Sequence, residues 1–219
     1  MMYALSQLRW RCAQYLEQRW WRRYLGRKDP QRYLREKRRY WEQLLDQLAA
    51  WPSTDAAVLD AGCGPAGIFT ALHERNQVTA LDPLLDRYAA WSLLHPQHYP
   101  TVRFVRASLE EADLAHDFEW IYCLNAINHV RDWQLSLDRL SEWAGSETRL
   151  LLTSDVHRHS YLWRLFRWLP GDLLHPQQHL PHHYRTALSQ RGWLIEREVE
   201  LRRERIFSYR AWVCVRAPD

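Results

Sequence analysis

The chain has 219 residues, 47% of them hydrophobic and 26% charged, which describes a folded globular domain and excludes a disordered or fibrous one. The net charge of +4 hides an asymmetry: twelve Arg or Lys stand against four acids from Met1 to Leu44, a balance of +8 that leaves −4 for the remainder. Four widely spaced cysteines (Cys12, Cys63, Cys123, Cys214) without a C-x-x-C pair exclude a disulfide framework and a cysteine zinc site, and no apolar run nears the ~18 residues of a spanning helix or reads as a signal peptide.

Residues 3–25 read as a helix whose stripe of Leu5, Leu8, Cys12, Leu16, Trp20 and Tyr24 is interrupted by Arg9, Arg19 and Arg23. Mixed Arg and Trp suit a membrane interface. The same stripe also suits packing on the domain or on a second copy of the chain, with the arginines lying flat. Asp29-Pro30 restarts the helix as a cap followed by a first-turn proline, and Trp51-Pro52 stops it. Thirteen tryptophans and eleven tyrosines point to an aromatic pocket or to a surface that meets an apolar phase.

The chain is organised around Val58-Leu59-Asp60-Ala61-Gly62-Cys63-Gly64-Pro65-Ala66-Gly67. A short apolar run ends on an acid, passes three glycines and enters a helix expected over 66–75, which is the pattern of a buried strand, a tight turn and a ligand-facing helix start. Gly62, Gly64 and Gly67, with Asp82 about twenty residues on, match the dinucleotide pattern G-x-G-x-x-G. Asp60 argues against that reading, since dinucleotide turns carry an apolar residue there and a buried unpaired acid is costly.

With its acid two residues before the first glycine, the stretch resembles the first motif of class I S-adenosylmethionine methyltransferases, D/E-x-G-x-G-x-G. Ala66 departs from it, standing where the third glycine usually falls. The resemblance implies an α/β fold with a Rossmann-like, doubly wound sheet of seven strands in the order 3-2-1-4-5-7-6, the seventh antiparallel. It implies S-adenosylmethionine as cofactor, held by Asp60, Gly62, Cys63 and Gly64, by Asp82 on the ribose hydroxyls with Pro83 beside it, and by Ser108 and Leu109 at the adenine. The helix before the first strand often folds over that pocket in the family.

Gln77–Asp82 and Thr101–Arg106 alternate as the second and third strands, with a helix from Pro83 to Leu94 between them that Asp82 can also cap. Asp117–Leu124 is the fourth, and Asn125-Ala126-Ile127-Asn128-His129-Val130 runs off its end, where ligands of open α/β sheets bind. The segment resembles the fourth motif of small-molecule methyltransferases, a strand followed by a run ending in His-Val, and Asn125 joins the expected cofactor contacts. It lacks the Asn/Asp-Pro-Pro-Tyr of amino methyltransferases, and Cys123 lies inside the strand with no adjacent proline, unlike the nucleophile of RNA 5-methylcytosine enzymes.

A helix over 132–143 and a fifth strand over 148–154 lead to a piece from Asp155 to Tyr184 with six histidines (His157, His159, His175, His179, His182, His183). Pro176 follows His175 and spoils a helical ligand pair, so metal ranks below a polar pocket lining. Arg167-Trp-Leu-Pro-Gly171 followed by His175-Pro176 resembles the lipid-touching insertion of ubiquinone-pathway methyltransferases. Strands over 193–201 and 206–216 close the chain. The organisation expected is a helical extension at 1–50 and a methyltransferase domain at 51–219 with a lid-like insertion at about 155–184.

The function implied is methyl transfer to a hydrophobic, aromatic or phenolic small molecule, with O-methylation favoured. His129, and then His157, are the candidate bases. The cytoplasm is the expected location, with the N-terminal arm and the lid as candidates for peripheral membrane contact and a homodimer as an alternative packing. Nucleic acid is a disfavoured partner. The rival readings are an RNA methyltransferase using the basic arm and a cofactor-binding protein without catalysis.

Overall fold

The computed structural model describes residues 29–90, 94–114, 118–159, 177 and 179–217, together with residues 15, 16, 19, 22–24 and 26. Most of the arm at 1–28 and the stretch 160–176, where the membrane and lid readings rest, lie outside the described residues.

Helix α1 (Pro30–Leu48) starts as its sequence dictates, with Pro30 at its first position and the Arg32 N–H donating to Asp29 Oδ1 at 2.6 Å. Ala49 ends it in a left-handed conformation, and the Ala50 N–H reaches back to the Leu45 carbonyl at 2.9 Å. Its Trp41, Leu44, Leu45 and Leu48 lie in one hydrophobic cluster with Val58, Phe69, Val78, Trp120 and Tyr122. This helix is therefore part of the core that supports the sheet.

The strands are β1 (Ala57–Ala61), β2 (Gln77–Leu81), β3 (Val102–Val105), β4 (Trp120–Leu124), β5 (Arg149–His157), β6 (Trp193–Arg203) and β7 (Phe207–Arg216). They form a single sheet in the order β3-β2-β1-β4-β5-β7-β6. The pairings of β1, β2, β3, β4 and β5 are parallel, and β7 runs antiparallel to both β5 and β6. The expected fold class and strand order are borne out.

Between the strands lie a 3-10 turn at Gly64–Ala66 and helices α2 (Phe69–Leu72), α3 (Leu85–Ala90), α4 (Trp133–Glu142) and α5 (Pro181–Ser189). The second face of the sheet buries Leu59, Ile121, Cys123, Leu150 and Trp212 against Leu137 and Leu140 of α4 and Tyr184 and Leu188 of α5. Among the described tryptophans, Trp41, Trp120, Trp143, Trp193 and Trp212 are buried. Two of them place their polar edges within the fold: Trp41 Nε1–H donates to the Ala66 carbonyl at 2.9 Å and Trp193 Nε1–H to Ser141 Oγ at 2.8 Å. For these five, the expectation of a pocket lining or an apolar surface gives way to core building.

Three local expectations are corrected. The helix expected over 66–75 is broken, because the backbone turns at Gly67 before α2 begins. Strand β5 runs to His157 rather than ending at Ser154, since β7 pairs with it along its whole length up to Phe207. Pro181, inside the stretch expected as a lid-like insertion at about 155–184, opens α5, where a missing N–H leaves no intrahelical bond unmade. No described helix is long and apolar enough to cross a membrane.

Candidate functional site

The carboxyl end of β1 carries the glycine turn, and its three glycines answer three different demands. At Gly62 (φ +76) an added Cβ would lie 2.3 Å from the Ala126 Cβ, so the turn presses directly on the loop after β4. At Gly67 it would lie 2.3 Å from Asp60 Oδ2. At Gly64 (φ +59) it would meet no described residue within 4 Å. There the left-handed backbone requires glycine and the space above it is open.

Asp60, only 2% exposed, accepts the Phe69 N–H at 3.0 Å and so ties the end of β1 to the start of α2. Burial pushes its carboxyl up to about 7, against the pull of the Phe69 N–H and with the nearby Asp82 adding to the rise. Asp82 follows β2 and is 7% exposed; its Oδ2 accepts the Gly64 N–H at 2.9 Å and its Oδ1 the Leu84 N–H at 2.8 Å. Burial raises it to about 6, while those two N–H groups and the Tyr88 hydroxyl hold it down. One carboxylate thus caps the turn into α3 and braces the glycine loop. Pro83 beside it is half-buried.

The Gly62 and Cys63 N–H groups donate to the Leu81 carbonyl at 2.8 and 3.0 Å, closing the loop onto β2. Cys63 is buried, and burial with Asp60 and Asp82 nearby drives its thiol well up, so it is a wall rather than a nucleophile. Burial likewise pushes Cys123 up to about 12.

Ser108 and Leu109 are buried in the turn after β3, with the Leu109 Cδ1 4.0 Å from the Cβ position of Gly62. The two sides of the site are joined by Glu110, a residue that the sequence reading left without a role. Its buried carboxylate accepts the Arg131 N–H at 2.8 Å and the Asp132 N–H at 3.0 Å. No local pattern marks it, since Glu110 and Glu111 stand side by side between Leu109 and Ala112 and only Glu110 is buried.

Beyond β4 the chain turns sharply. Asn125 has a left-handed backbone (φ +54), and its N–H donates to both the Thr153 carbonyl at 3.0 Å and Thr153 Oγ1 at 2.9 Å. Thr153 Oγ1 lies 2.6 Å from the Tyr209 hydroxyl. His129 is half-buried on this loop, its N–H on the Ala126 carbonyl at 2.9 Å. His157 is 1% exposed at the end of β5 and packs on Phe207 with ring centroids 4.7 Å apart.

Gln177 and His179 stitch these pieces together. The Gln177 N–H donates to the Asn128 carbonyl at 3.2 Å, its side chain donates to the Arg131 carbonyl at 2.8 Å, and the His157 N–H donates to the His179 carbonyl at 3.3 Å. The His179 ring stacks on Trp133 at 3.7 Å. Asp60, Gly62, Gly64, Asp82 and Leu109 therefore meet around one loop, with Asn125 and His129 on the facing loop and His157 more deeply set.

No curated protein sequence matches the chain. Among solved structures, the YcgJ protein of Bacillus subtilis superposes with a TM-score of 0.65 at 14% identity, covering 83% of this chain and 100% of that one. Geranyl diphosphate C-methyltransferase of Streptomyces coelicolor, solved with Mg2+, geranyl diphosphate and S-adenosylhomocysteine, gives 0.63 at 13% identity, covering 81% and 78%. Magnesium protoporphyrin IX methyltransferase of Synechocystis, solved with bound S-adenosylhomocysteine, gives 0.64 at 19% identity, covering 93% and 94%. Residues 33–197, about three quarters of the chain, match the family model described as a methyltransferase domain, and the chain belongs to that family.

Proposed function

We propose that the protein transfers a methyl group from S-adenosylmethionine to a hydrophobic, aromatic or phenolic small molecule, with oxygen as the favoured acceptor atom. The observation that carries this reading is the Gly64 turn: a left-handed glycine facing open space, with the Asp82 carboxylate on its N–H at 2.9 Å. Such a ledge suits an adenosyl group, because the backbone can be approached closely and the acid stands beside it to accept ribose hydroxyls. The acid at Asp60, which a dinucleotide turn would not carry, supports this cofactor over a nicotinamide one. The structural neighbours solved with S-adenosylhomocysteine support it as well.

The residues that would hold the cofactor are Asp60, Gly62, Cys63, Gly64, Asp82, Pro83, Ser108, Leu109 and Asn125. When bound, S-adenosylmethionine supplies a methyl group on a sulfonium, a good leaving group, so alignment of the acceptor provides most of the acceleration. The loop 125–130 is the element that aligns it, fixed by Thr153, by Gln177 and through Glu110. His129, half-buried on that loop, is the base proposed for the proton of a phenol or enol. His157, packed on Phe207 at the end of β5, is the second candidate. The cytoplasm, with peripheral membrane contact through the arm and the lid, suits an apolar acceptor, and a homodimer is compatible with it.

Incubating the protein with methyl-labelled S-adenosylmethionine and a lipid-soluble cell extract, followed by mass spectrometry, tests this reading. A labelled small molecule whose formation falls in His129→Asn is expected. Label confined to RNA or protein, or none at all, would overturn it.

A further inference from the structure

Two side-chain amide oxygens at the end of β4 lack what buried polar atoms almost always have. Asn125 Oδ1 and Asn128 Oδ1 are both buried and accept no hydrogen bond from the described residues. Asn128 as a whole is 2% exposed. A buried carbonyl without a donor destabilises a fold, and native proteins keep few of them.

Nothing about the loop suggests that it was left loose. The Asn125 N–H is held twice by Thr153, at 3.0 and 2.9 Å, and the Asn128 carbonyl takes the Gln177 N–H at 3.2 Å. Ala126 lies between them against Gly62, and Arg131 and Asp132 are pinned to Glu110 at 2.8 and 3.0 Å. Asn125 also carries a left-handed backbone (φ +54), a conformation that Asn adopts more readily than most residues. A loop bonded so fully through its backbone, yet with both amide oxygens unpaired, is built to receive donors from elsewhere.

We propose that Asn125 and Asn128 form a donor-reading pair, whose amide oxygens accept hydrogen bonds from an N–H or O–H group of a bound molecule and so select ligands that carry one. The inference rests on the methyl-transfer reading, because the pair lies where the methyl group would pass to its acceptor. Two sources offer the same chemistry, the ammonium group of the cofactor and a hydroxyl or amine on the acceptor. No covalent step is involved.

The test has one part that needs no cofactor. Asn128→Leu replaces the amide with an apolar group of similar size, and Asn125→Gly keeps the left-handed backbone without the side chain. Without ligand, Asn128→Leu should melt about 2 °C or more above the wild type, since an unpaired buried carbonyl has been removed. An equal or lower melting temperature overturns the proposal.

Calorimetry then compares S-adenosylhomocysteine with its analogue lacking the amino group. In parallel, thermal shifts of the S-adenosylhomocysteine-loaded protein compare phenol and aniline with anisole and N,N-dimethylaniline. In at least one arm the wild type should prefer the donor-bearing probe about tenfold. That preference should vanish in Asn128→Leu and Asn125→Gly and survive in Asn128→Asp. Discrimination in the first arm identifies the cofactor as the source, and in the second the acceptor. Variants that discriminate as the wild type does, or a wild type that discriminates in neither arm, overturn the pair. A wild type that binds no S-adenosylhomocysteine overturns the methyl-transfer reading instead, while the melting comparison still judges the pair.

Discussion

At the carboxyl ends of β1 and β2, Asp60 and Asp82 place their oxygens on backbone N–H groups of Phe69, Gly64 and Leu84. At the end of β4, Asn125 and Asn128 leave theirs unpaired among the described residues. The difference teaches how one sheet edge serves two purposes. The first half is braced by its own carboxylates and offers a ready-made ledge. The second is braced through its backbone and keeps its side-chain polarity for a ligand.

The largest expected effect comes from breaking the contact between the halves. Gly62→Val would force a branched Cβ into the Ala126 Cβ, 2.3 Å away, at a φ of +76. A loss of about 3 kcal/mol or more in urea unfolding is expected, and a smaller loss would mean that the two loops are not pressed together. Next comes the brace of the first half. Asp82→Ala removes the partner of the Gly64 and Leu84 N–H groups, and S-adenosylhomocysteine binding measured by calorimetry should weaken about 10- to 100-fold.

A milder change sharpens the comparison from the other side. Tyr209→Phe removes the hydroxyl 2.6 Å from Thr153 Oγ1, the group that holds the Asn125 N–H. Stability should fall by about 1 kcal/mol and turnover should drop with S-adenosylhomocysteine affinity unchanged, because this network supports the acceptor side. A loss of cofactor affinity in that variant would merge the two halves.

The smallest effect is a slope. Burial holds the Asp60 carboxyl at about 7, above its ordinary 3.8. Between roughly pH 4 and pH 7 the folded protein therefore keeps a proton that the unfolded chain has released, and stability contributed by this group falls as pH rises through that window. Asp60→Asn should flatten the decline between about pH 6 and pH 7 and reduce it below pH 6 to the share of Asp82, which is raised to about 6 and still titrates there. Urea midpoints measured across this range decide it.

The glycine turn was legible because local signals and global fold agree there, and the strand order followed from the family that the turn resembles. The turn at Gly62–Gly67 needs glycine for reasons of backbone angle and close approach, and such needs are written directly in residue type. Asp29 and Pro30 announced α1 in the same way. What stayed hidden depends on contacts between distant segments. Helix α5 was obscured because its opening Pro181 follows a proline- and histidine-rich stretch that reads as irregular. The role of Glu110 is set by Arg131 and Asp132, more than twenty residues away. That of Thr153 depends on Asn125 and Tyr209, and no spacing rule links those positions.

Calorimetry of the full chain with S-adenosylhomocysteine and with NAD, on the wild type and on Asp82→Ala, tests the central claim most directly. The account predicts that the wild type binds S-adenosylhomocysteine and not NAD, and that Asp82→Ala weakens that binding at least about tenfold. Tight binding of NAD with no binding of S-adenosylhomocysteine would contradict it.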